Sequence, residues 1–123
     1  MATADVELAE RFRVALEAAV RTGDREGVYE LLAPDVTWVT PQRSLSGLDE
    51  MRRDWSWGSS PETFDYEFED GAWVDEGDQR VACDVQEVYR LKNTGEFAYR
   101  RTVRVELTIR DGKIGRYELS VVA

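Results

Sequence analysis

The chain predicts an α+β domain in which helices cover one face of a curved antiparallel or mixed sheet. Three observations carry this. Apolar residues recur at helical spacing only in the first half of the chain, and nearly everything after Phe64 alternates with a period of two. The length of 123 residues, 42% hydrophobic and 33% charged, suits one domain spanning 1–123.

The elements follow in order. From Ala4 to Thr22, the residues Leu8, Phe12, Ala15, Leu16, Ala19 and Val20 form an apolar stripe, with Thr3 placed to cap and Gly23 to terminate. Asp24 can cap a second helix through Val28, Leu31 and Leu32, stopped by Pro34. Asp35 to Thr40 changes period, with Val36, Trp38 and Thr40 on one face, and Pro41 ends that strand. Ser46 with Asp49 suggests an approximate capping box for a third helix through Leu48, Met51 and Trp55, halted at Gly58, Ser59, Ser60 and Pro61. Phe64, Tyr66 and Phe68 then alternate with acids, and Asp70-Gly71 marks a turn or bulge before Trp73. Arg80 to Leu91, Phe97 to Ile109 and a last strand from Lys113 complete the sheet, the final hairpin turning at Asp111-Gly112.

Composition narrows the functions available. Twenty-five acidic against sixteen basic residues give a net charge of −9, and no basic run offers a phosphate or anionic-lipid site, so neither nucleic acid nor a membrane is an expected partner. Cys83 is the one cysteine and there is no histidine, which excludes a disulfide, a multi-thiolate or histidine metal site and a histidine-based triad. No metal or cofactor is expected. Asp5, Glu7 and Glu10 do not suit a signal peptide and no 18-residue apolar run follows, so the expected compartment is the cytoplasm.

The long hairpin exposes a candidate site by counting. With Asn93-Thr94-Gly95 as a three-residue loop, Leu91 faces Phe97, Tyr89 faces Tyr99, Glu87 faces Arg101, Val85 faces Val103 and Cys83 faces Val105, all on one side. Gln86 with Thr102 and Asp84 with Arg104 make the other side polar. In the last strand Ile114 and the set Tyr117, Leu119, Val121 share a face only if Gly115 is a bulge. The inner face is then apolar or aromatic except for Glu87 and Arg101. Glu87 could act as acid or base with Arg101 orienting a carbonyl, or the two could be an ion pair that fixes register. Trp38, Thr40, Trp55, Tyr89, Tyr99 and Tyr117 are the candidate substrate-binding residues, with Trp57 at the mouth, for a small apolar or aromatic ligand. The bland reading of these aromatics is core or subunit interface, and of Cys83 a small buried hydrophobe.

The chain resembles the nuclear-transport-factor-2-like cone, a cystatin-like fold with three helices over a curved sheet, and within it the SnoaL-like proteins. The resemblance rests on Gly23-Asp24, on Leu32-Ala33-Pro34-Asp35-Val36 with Trp38, on Gly47, on Gly77-Asp78 with Val81, and on Asp111-Gly112-Lys113-Ile114. It implies a homodimer and a cofactor-independent enzyme of isomerase, cyclase or hydrolase type. Position by position, the carboxylate base of ketosteroid isomerases falls on Thr40, their hydrogen-bonding acid near Val105 and their helical tyrosine near Trp55. Of the arginine and two aspartates of limonene epoxide hydrolases, Glu87 matches one aspartate, while Val85 and Leu119 stand at the other two positions. Polyketide cyclases of this type need essentially one acid or base in an apolar pocket, a part Glu87 could play. A non-catalytic binding or dimerisation domain of the same fold is the alternative.

Overall fold

Helix α1, Ala4–Thr22, opens the chain in the computed structural model, which describes residues 3–55 and 64–122. Thr3 Oγ1 accepts the Val6 N–H at 3.2 Å, and Gly23 adopts φ 81° so that its own N–H closes on Ala19 O, the left-handed ending that glycine permits. The stripe Leu8, Ala9, Phe12, Leu16 and Ala19 is buried against the sheet. Asp24 accepts from Glu26 N–H as the second helix starts.

That helix, α2 (Glu26–Tyr29), is shorter than its apolar spacing suggests. Leu31 O accepts from Ile114 N–H and Leu32 already pairs with Ile114, so strand β1 (Leu32–Val39) begins where a further helical turn was expected. Pro34 therefore lies inside β1, in the irregular stretch between Leu32 and Thr37, where its missing N–H removes no ladder bond. A short strand β2 (Ser44–Ser46), not anticipated from the sequence, returns along β1. It takes Ser46 into the ladder opposite Thr37, so Ser46 does not cap α3 (Leu48–Asp54). Gly47 occupies the cap position instead, at φ 85° with its N–H bonded to Val36 O.

Strands β3 (Phe64–Asp70) and β4 (Val74–Gly77) lie end to end along β5 (Arg80–Leu91), where the sequence predicts one strand with a turn or bulge at Asp70-Gly71. They are one edge strand interrupted at residues 71–73, and Gly71 N–H still bonds Asp84 O across the break. Strands β6 (Phe97–Arg110) and β7 (Lys113–Val121) complete a curled seven-stranded mixed sheet of order β2-β1-β7-β6-β5-β3, in which β1 and β7 are the parallel pair.

The expected register holds from Val81↔Leu107 through Tyr89↔Tyr99, including Glu87↔Arg101. It fails at the hairpin end. Arg90 pairs with Phe97 and Leu91 N–H bonds Glu96 O, leaving Ala98 as an extra residue; Phe97 is thereby half exposed rather than facing Leu91. In β7, Ile114 pairs with Ile109 and Arg116 with Thr108, so Gly115 is the bulge that puts Ile114, Tyr117 and Leu119 on the buried side. Val121 follows the same parity but sits past the end of β1's cover and is exposed.

Candidate functional site

Glu87 is 1% exposed, the one buried charged residue among those described. Two donors converge on its Oε1: Tyr89 Oη at 2.9 Å, from the same face of β5, and Arg101 Nε at 2.5 Å, from the opposite rung on β6. A carboxylate taken out of water is tolerated only with such charge-assisted partners. Arg101 is asymmetric, its side chain keeping 31% exposure while Nε reaches inward. Burial pulls its pKa down, but the hydrogen bond and charge of Glu87 and the neighbouring Tyr89 outweigh this and leave it raised.

The six candidate binding residues separate into two groups and one outlier. Tyr89 and Tyr99 stack at 4.3 Å with Phe64 edge-on to both, and Arg101 lies 5.9 Å from the Tyr89 ring. Tyr89 is buried and Tyr99 is 42% exposed, so this group runs from the carboxylate to the surface. Trp38 and Tyr117 form the second group, stacked at 3.8 Å and 11°, with Phe12 and Trp55 edge-on to Trp38. Arg25 fastens Trp55 by donating to its carbonyl and covering its ring at 5.3 Å. Tyr117 stands opposite Leu107, far along β6 from Tyr99, and packs on Trp38 rather than beside the Tyr89 and Tyr99 pair as the sequence suggested. Thr40 is the outlier: it closes a turn with Arg43, giving its hydroxyl to Arg43 O and accepting Arg43 N–H. Trp57 lies outside the described residues.

Beside Glu87 and Tyr117 is a small apolar cavity of about 30 Å³, walled also by Leu16, Val85, Val103, Val105 and Leu119, with Phe12, Arg13 and Trp73. That volume suits a water or the tip of a larger molecule. Trp38, Trp55, Tyr89 and Tyr99 are not among its walls. Burial, reinforced by the negative Glu87, raises the Tyr117 phenol well above its ordinary range, and Arg101 offsets only part of this. Tyr117 is therefore a neutral hydroxyl at physiological pH. Sequence reading passed over Arg13 and Trp73 as wall residues. Arg13 lies next to Phe12 on α1, and Trp73 sits in the edge-strand break where no periodicity survives. Among the described residues no three carboxylates or thiols gather as a metal site, and no helix is long and apolar enough to cross a membrane.

The SnoaL-like domain model matches residues 12–117, most of the chain. The chain belongs to the SnoaL-like family. None of the curated proteins matches it significantly. Solved structures agree on the fold: a nuclear-transport-factor-2-like protein from Anabaena variabilis is 16% identical with a TM-score of 0.75, covering 100% of this chain and 95% of its own. TerC, co-crystallised with polyporic acid, is 21% identical with a TM-score of 0.69, over 98% of this chain and 92% of its own. A proposed polyketide cyclase from Sinorhizobium meliloti is 21% identical with a TM-score of 0.65, over 89% and 93% respectively. This SnoaL-like chain thus shares its fold with a protein named a proposed polyketide cyclase, and its buried Glu87 takes two donors.

Proposed function

We propose that this SnoaL-like protein is a cofactor-independent enzyme of isomerase, cyclase or hydrolase type, acting on a small apolar or aromatic compound, with Glu87 as its acid or base and Arg101 as the group that fixes it. The observation that carries the reading is a carboxylate 1% exposed on the wall of an apolar cavity. Tyr89 and Arg101 both load Oε1, so Oε2 is the oxygen that would exchange a proton with a substrate. Similarity to TerC and to a proposed polyketide cyclase supports a flat, oxygenated ligand.

The small cavity, the stacking of Trp38 on Tyr117 and the edge-on packing of Trp55 on Trp38 favour a second reading, a binding or dimerisation domain whose cup is filled by its own side chains. Turnover of a panel of apolar ketones, phenols and epoxides by wild type and Glu87→Gln separates the two. The catalytic reading expects turnover of at least one compound, falling by 100-fold or more, roughly the contribution of a positioned acid or base, in the variant. Equal rates, or no turnover of any compound together with no ligand-induced shift in Tm, would move the assignment to the interaction module.

A further inference from the structure

Trp73 joins the buried set by a route unlike that of any other aromatic residue in the cavity wall. It is 8% exposed, packs in the hydrophobic core, and its indole Nε1 is buried with no hydrogen-bond partner among the described residues. Native proteins satisfy nearly all such donors, because an indole N–H withdrawn from water loses a bond it made when unfolded. The remaining wall is apolar apart from Arg13, Glu87 and Tyr117. The position is held by backbone: Gly71 bonds Asp84 O, where a Cβ would come within 2.9 Å, so the 71–73 interruption is pressed against β5 and carries Trp73 inward.

We propose that Trp73 is the specificity-determining donor of this cavity, its indole N–H taking the acceptor oxygen of a bound ketone, lactone or quinone whose tip enters beside Glu87. This rests on the reading of the cavity as a ligand site, and deepens it by naming the substrate class. Carbonyl compounds satisfy the N–H, whereas hydrocarbons of the same shape leave it unpaired. A carbonyl tip is also what a cavity of about 30 Å³ can admit. Trp73 recognises the oxygen and Glu87 handles a proton, so the two residues have separable tests.

Acetophenone and α-methylstyrene are matched probes, since C=O replaces C=CH2 in the same outline. Both are titrated into ¹³C,¹⁵N-labelled protein, whose four tryptophans give four indole cross-peaks and whose methyl groups are read in parallel. The Trp73 peak is assigned by its loss in Trp73→Phe, or by triple-resonance experiments if that variant does not fold. Acetophenone should move the Trp73 indole proton downfield and bind roughly 3- to 10-fold more tightly than α-methylstyrene, the value of one neutral hydrogen bond. In Trp73→Phe the two compounds should bind about equally, while Glu87→Gln should keep the ketone preference. Equal binding in wild type, with shifts at the Val85, Val103 and Leu119 methyls but none at the indole, overturns the donor and leaves the ligand site standing. No shift at those methyls with either compound overturns both.

Discussion

Replacing Arg101 by Met tests whether the fold depends on the Glu87 pair. Methionine keeps an unbranched apolar stem that reaches about as far as the Arg101 Nε, but it leaves a carboxylate that is 1% exposed with Tyr89 Oη still donating to Oε1. Removing one member of a fully buried pair costs about 3–5 kcal/mol. Here the arginine side is 31% exposed, so water can reach part of the vacated space, and Tyr89 still donates; the expected loss is about 2–3 kcal/mol. In a domain of this size each kcal/mol moves Tm by about 3–5 °C, so Arg101→Met should melt about 6–15 °C below wild type. Glu87→Gln in the Arg101→Met background should recover most of that loss, because the amide carries no charge to strand and keeps nearly the same volume. Urea unfolding of the wild type, both single variants and the double variant gives the coupling directly, and about 2 kcal/mol is expected. Additive single losses, or an Arg101→Met variant within about 0.5 kcal/mol of wild type, would show that water solvates Glu87 well enough to dispense with the guanidinium and would refute the buried-pair argument.

Three further outcomes follow from the packing. Because the folded-state pKa of Tyr117 is raised above its unfolded value, its contribution is fully present below about pH 10 and is lost as pH rises above it, so Tyr117→Phe should flatten the alkaline decline in Tm. An added methyl at Gly71 would lie 2.9 Å from Asp84 O, and Gly71→Ala should cost about 1–3 kcal/mol in urea unfolding, whereas a methyl at Gly112 meets nothing within 4 Å and loses stability only through its positive φ. Phe12→Ala removes the ring that meets both Trp38 and Tyr117 and should lower stability by about 3–5 kcal/mol, while enlarging the cavity its side chain now walls.

The register of the Glu87 and Arg101 rung was readable because one hairpin fixes it: side chains alternate with a period of two, so Val81↔Leu107 to Tyr89↔Tyr99 follow from a single anchor. The Gly115 bulge was readable for the same reason, through the parity clash between Ile114 and Tyr117. What escaped depended on partners distant in sequence. Leu32 looks helical in a local window, and only β7, more than eighty residues later, claims it for a parallel pair. Ser46 has the right chemistry for a cap and is diverted by a ladder with Thr37 that no local pattern announces. Thr40 counted as an inward residue by alternation, but the chain leaves β1 at Val39 and its hydroxyl closes a turn.

The division of the aromatics has a chemical consequence that their common period concealed. Tyr89 and Tyr99 form a stacked pair that runs from the carboxylate to the surface, beside a guanidinium that is partly wet. Trp38 stacks on Tyr117 and takes Trp55 edge-on, all three are buried, and Tyr117 lines the same cavity as Glu87. On the proposed reading, the cation and the exposed ring at the outer end of this group suit an oxygenated aromatic compound better than a plain hydrocarbon. The buried second group, by contrast, supplies rigidity: stacked, tilted and edge-on contacts with Trp38 and Phe12 hold Tyr117 in the cavity wall.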